Sequence, residues 1–171
     1  MNADDAGGAV DVVIEAGDWA GAGLDALAPR ACGAALAHIG RPGAEVVVLG
    51  CDDARIAALN ADFRGKPRAT NVLSWPSVEH VAHAPGAVPV PPDTDAMGDI
   101  AIAFGICTAE AAAQGKPLAD HVTHLLIHAT LHLAGYDHEN DADAAVMEAA
   151  ERVILAGLGI RDPYAEPAPP V

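Results

Sequence analysis

Positive charge is what this chain has least of. Nine lysines and arginines stand against 24 aspartates and glutamates, a formal net charge of −15 over 171 residues. Polyanions are held mainly by cations that displace counterions, so this balance excludes a protein that binds nucleic acid by bulk electrostatics. It leaves room only for a local basic patch. Aromatic residues make up 4% of the chain while hydrophobic residues make up 51%, which implies a core of small side chains and, at this length, one domain. No run has the length and purity of a membrane-spanning helix. The opening "MNADDAGGAV" is acidic and lacks a basic start and an apolar stretch, so it does not read as a secretory signal, and a cytoplasmic location is expected. Cys32, Cys51 and Cys107 are odd in number, widely spaced and without CxxC pairs. They read as small buried hydrophobes rather than a disulfide or thiolate site.

The pattern that is present alternates strands with helices. "AVDVVIEAG", "AEVVVLG", "TNVLSWP" and "GDIAIAFG" predict strands from their alternating or β-branched content. Helices are expected from Asp18 to Ile39, with Pro29 marking a break or a new first turn, and over "CDDARIAALNADF". The latter is capped by Asp52 or Asp53 and has Ile56, Leu59 and Phe63 at helical spacing. A short helix over "TAEAAAQG" closes at Gly115. A long one begins near Pro117, and another runs from about Asn140 to Leu158, with Ala144, Met147, Ala150, Ile154 and Leu158 down one face. Residues 77–97 lack periodicity and read as a loop. These elements predict a single α+β domain over 9–162, a small mixed sheet packed with helices, between a flexible 1–8 and a Pro-rich, disordered tail at 163–171.

The stretch "HATLHLAGYDH" carries the chemistry. His128 and His132 are four apart and share one helix face. His138 lies too far along a straight helix to join them, but Gly135 stands where a C-cap adopts the left-handed conformation and lets the chain turn back. Three imidazoles fit a catalytic zinc site, one ion per chain, with the fourth position left for water. Metzincin peptidases share the spacing but place a Glu base after the first His, where this chain has Ala129. A metallopeptidase-like hydrolase with its base elsewhere, and a non-enzymatic factor with structural zinc, therefore remain as alternatives. The second would ordinarily use four ligands and cysteine. Asp137 is a candidate to orient a ligand imidazole. His121 and His124, upstream on the same helix, read as supporting or surface residues. His38, His80 and His83 have no evident partner. Arg64, Lys66 and Arg68 form the local basic cluster. A guanidinium meets two phosphate oxygens with a planar fork, so Arg64 is the candidate catalytic cation, with Lys66 and Arg68 steering the backbone and Asn71 and Ser74 adding neutral hydrogen bonds.

With these residues in view, the sequence resembles the YbeY endoribonucleases, the bacterial rRNA maturation factors. "HATLHLAGYDH" is similar to their H-G-x-L-H-L-x-G-Y-D-H. "LNADFRGKPRATNVLSWP" and "GDIAIAFGIC" resemble two further family segments in the same order, and "ILAGLGIRDPY" resembles a family flank. The likeness runs from about residue 45 to 164. Ala129, Pro67, Ala69 and Trp75 depart from the family's usual residues, and Pro67 and Ala69 bear on the shape of the basic loop. The resemblance implies a zincin-like fold and a zinc-dependent endoribonuclease specific for single strands. It implies zinc ligands at His128, His132 and His138 and an important arginine at Arg64. It further implies trimming of rRNA, notably the 3′ end of small-subunit rRNA, and ribosome quality control, with RNA and ribosome-associated proteins as partners and no membrane.

Overall fold

The structure, a computed structural model, describes residues 9–165. The expected flexible residues 1–8 and most of the expected tail lie outside that range. Four strands form one sheet: β1 (Val10–Ile14), β2 (Glu45–Cys51), β3 (Val72–Pro76) and β4 (Ala96–Ala103). Their order is β1-β2-β4-β3, with β1, β2 and β4 parallel and β3 antiparallel to β4. Six helices accompany them: α1 (Asp18–Gly21), α2 (Leu24–His38), α3 (Asp53–Arg64), α4 (Phe104–Gln114), α5 (Leu118–Leu133) and α6 (Asp141–Gly157). The result is the mixed α+β architecture that the strand and helix patterns predict.

β4 lies inside the sheet, and its last four residues, Ile100 to Ala103, are all buried. Burial on both faces explains its continuous apolar run. Val46, Val48, Ile100 and Ile102 pack under α2, α5 and α6 in the main core, while Cys51, Leu73, Ala101 and Ala103 form a smaller cluster with Ile56 of α3. The register pairs Val72 with Ile102 and Ser74 with Ile100, which turns Val72 and Ser74 toward α5. Leu73 and Trp75 face α3 instead.

Some expectations need correction. Pro29 neither breaks nor starts a helix but lies within α2; the interruption falls at Gly23, whose φ is 79°. Pro29, the sixth residue of α2, lacks the N–H that would reach the carbonyl of Asp25, so the helix runs on with one intrahelical bond missing. Helix α4 begins at Phe104, earlier than its Ala-rich segment suggests, because Asp53 of α3 accepts the Ile106 N–H at 3.0 Å. That acid caps a helix 53 residues away. Phe63 is not part of the apolar seam of α3. It is 66% exposed and meets Trp75 edge to face at 5.6 Å.

Candidate active site

Helix α5 is amphipathic by spacing, with Val122, Leu125, Leu126 and Ala129 buried against the sheet and α2. His124, His128 and His132 occupy the adjoining stripe at steps of four. The helix ends in a Schellman motif: Tyr136 N–H reaches the Leu131 carbonyl and Gly135 N–H reaches that of His132, both at 3.1 Å. Gly135 takes φ 105° there, and an added Cβ would lie 3.3 Å from Pro89. This turn reverses the chain and brings His138 back toward the helix. The ring centroids of His128 and His138 are 5.3 Å apart, and those of His132 and His138 are 6.3 Å apart.

All three rings line one cavity of about 680 Å³. A tetrahedral ion with bonds of about 2.0–2.1 Å to nitrogen would place two ring centroids roughly 5 Å apart. One measured spacing meets that value and the other is wider. Among the described residues, no three His, Cys, Asp or Glu side chains close to coordinating distance. The rings thus face a common space without converging on one point. Their donor chemistry still suits a cation. His132 Nδ1 donates to the Tyr136 carbonyl at 2.9 Å, and His128 Nδ1 meets Glu151 Oε2 at 3.0 Å. Each bond leaves Nε2 as the free nitrogen, as in metal-binding histidines. Burial pushes the His132 pKa below the ordinary imidazole value, although the bond to Tyr136 opposes the shift. The neutral, ligating form is favoured.

Glu151 of α6 is fully buried. Its Oε1 meets His124 Nε2 at 2.5 Å and accepts from Tyr164 Oη at 2.6 Å. Burial alone would raise its pKa, but the bonds from His124, His128 and Tyr164 prevail and hold it at about 2. The residue is a permanent carboxylate beneath two histidines. Tyr164, expected in the disordered tail, is instead tied to the site, and the Arg152 guanidinium lies 5.1 Å above its ring. The sequence carried one sign of Glu151, a carboxylate on the apolar stripe of α6 between Ala150 and Ile154. Tyr164 closes the segment that resembles a family flank, but nothing in the sequence tied it to Glu151. Nor was there a sign that His80 would meet the Leu133 carbonyl at the end of α5, 3.0 Å away.

The opposite wall comes from the end of α3 and from β3. Gly65, with φ 67°, stops α3 just after Arg64. Arg64 Nη2 donates to the Ser74 carbonyl at 2.8 Å, which holds the guanidinium at the cavity it lines. Asn71 and Ser74 also line the cavity. Asn71, however, spends its amide on Glu110 and its oxygen on the Val72 N–H. Lys66 and Arg68 are exposed and outside the lining, in a loop pinned where Asn60 donates to the Arg68 carbonyl at 3.0 Å. Asp137 binds no ring; it accepts the backbone N–H of His138 at 2.7 Å, so it shapes the turn. His121 is buried and meets Glu110 at 2.9 Å.

A small mixed sheet, a histidine helix laid across it and a turn that returns a third histidine define a zincin-like α+β protein. The profile of the family described as Endoribonuclease YbeY matches residues 22–159. The chain is 61% identical over 157 residues to an Endoribonuclease YbeY of Paracoccus denitrificans, covering 92% of this chain and 90% of that one. It is 56% identical over 163 residues to one of Cereibacter sphaeroides, covering 91% and 98%. A solution structure of a Thermotoga maritima protein shares the fold, with a TM-score of 0.54 at 22% identity over 92% of this chain and 99% of that one. The chain belongs to the YbeY endoribonuclease family.

Proposed function

We propose that this endoribonuclease is zinc-dependent and specific for single-stranded RNA. Its task is maturation of rRNA, notably the 3′ end of the small-subunit rRNA, and ribosome quality control in the cytoplasm. The observation that carries the reading is the opposition, across one cavity, of two imidazoles with free Nε2 atoms and an arginine held by its neighbour's carbonyl. His128, His132 and His138 would hold the zinc. When bound, zinc would supply Lewis-acid charge at the scissile phosphodiester.

The protein's own groups do the rest. Arg64 commits one N–H to Ser74 and keeps the other edge of its fork for the phosphate oxygens. Those oxygens gain negative charge toward the transition state, so a fixed cation there favours that state over the ground state. Glu151 and the Tyr136 carbonyl set the tautomer and tilt of two histidines. Ala129 lines the cavity beside His128 and offers no proton acceptor, so the metzincin base is missing from its usual place. Lys66 and Arg68, outside the cavity, would guide the strand toward it, and Ser74 would hold Arg64 in place.

The test uses chelator-treated protein, with and without restored zinc, on a single strand, the matching duplex and a peptide substrate. Cleavage of the single strand alone, only with zinc restored, is expected. Peptide hydrolysis, or RNA cleavage indifferent to chelation, would defeat the reading. A 2′,3′-cyclic phosphate on the product would assign attack to the RNA's own 2′-hydroxyl, whereas a 3′-hydroxyl paired with a 5′-phosphate would assign it to water.

A further inference from the structure

The chain's few cations are unevenly committed. Arg41, Arg55 and Arg152 are paired with Asp93, with Glu15, and with Glu148 and Asp162 respectively. Arg30 binds the Leu158 carbonyl and Arg64 that of Ser74, each at 2.8 Å. Among the described residues, Lys66, Arg68, Lys116 and Arg161 have no carboxylate within salt-bridge distance. The first two belong to the loop beside the active cavity. Lys116 and Arg161, which are 45 positions apart in the sequence, line a second cavity of about 580 Å³.

That second cavity adjoins the first, with one lining residue in common. His124 lines both. The C-terminal segment lies between them, with Tyr164 on the first cavity and Pro163 and Ala165 on the second. Asp162 is engaged by Arg152 at 3.3 Å, so Asp120 is the one carboxylate of the lining without a cation partner among the described residues. Two uncommitted cations face it. Ile160 and Pro163 add apolar wall against which a ribose or base can rest. In a molecule of net charge −15, two cations without carboxylate partners on one cavity offer an anion a favourable contact that most of the surface does not. A single strand offers one phosphate per nucleotide, and contacts to phosphates position a strand without selecting its sequence.

We propose that the second cavity is a subsite for the RNA strand flanking the cleaved bond, with Lys116 and Arg161 meeting its backbone phosphates. The proposal rests on the nuclease reading above and extends the recognised substrate from one bond to a length of strand.

The experiment measures binding and cleavage side by side. End-labelled single-stranded RNAs, lengthened one nucleotide at a time, are titrated by fluorescence anisotropy into wild-type protein and into the double variant Lys116→Gln, Arg161→Gln. Wild type should gain affinity in a step once the strand reaches the second cavity. The double variant should lack the step and bind long RNA about tenfold more weakly, with a salt slope smaller by about 1.4, at about 0.7 per phosphate. Arg55→Gln, which removes a cation paired elsewhere, should stay within about twofold of wild type. The proposal is overturned if the double variant binds long RNA as wild type does, if it weakens short and long RNAs equally, or if Arg55→Gln costs as much. If the step is present but wild type cleaves none of the RNAs, the catalytic reading falls and the subsite stands.

Discussion

Glu151 sits one turn after Met147 on the buried stripe of α6, where a carboxylate has no water. Its desolvation is offset by three donors, and the fixed charge in turn orients His128. Glu151→Gln keeps the shape and removes the charge. It should lower zinc affinity by about 10–100-fold, measured by competition with a chromogenic chelator; unchanged affinity would refute the orienting role. Arg64→Ala should leave zinc content intact and slow RNA cleavage by about 10²-fold, and a variant as fast as wild type would rule Arg64 out of the chemistry. At this scale the histidine trio, Gly135 and Arg64 were legible in the sequence because spacing and turn chemistry are local. Glu151 was not, nor was its joining of His124 to Tyr164, because those contacts span 27 and 40 positions.

At the scale of elements, the turn after α5 is the most exacting feature. Gly135 combines a left-handed φ with close approach to Pro89, and both hydrogen bonds of the Schellman motif depend on that conformation. Gly135→Ala should cost about 1–2 kcal/mol of stability in denaturant unfolding of the zinc-free protein. Zinc binding should also weaken as His138 shifts. A variant with wild-type unfolding would show that the turn tolerates a side chain. Helix α6 was legible from its apolar periodicity, and its start is fixed by Asn140, whose side chain accepts from Asp143 N–H. The start of α4 was not, since Asp53 reaches it from another helix. The C-terminal reach of the fold was hidden from composition, because "DPYAEPAPPV" reads as a tail while Tyr164 donates to Glu151.

For the whole molecule, the strong negative charge and the buried thiols set the response to pH. Burial pushes the Cys32 thiol up to about 11 and the Cys107 thiol up to about 12, from an ordinary value of 9.0. The native chain keeps both neutral where the unfolded chain would ionise them. Their contribution is therefore full below pH 9 and is lost as pH rises from 9 toward 11–12. The melting temperature should fall across that window, and Cys32→Ala should make the fall shallower; an identical slope would contradict the assignment. The excess of acidic groups repels other anions over most of the surface, so on the proposed reading RNA is met by Arg64 and the uncommitted cations. The whole account depends on the three histidines holding one cation together, and zinc content measured by elemental analysis tests that most directly. Wild type should carry about one zinc per chain, and His128→Ala, His132→Ala and His138→Ala should carry almost none while remaining folded by circular dichroism. Zinc-free wild type under saturating metal, or undiminished zinc in all three variants, would contradict it.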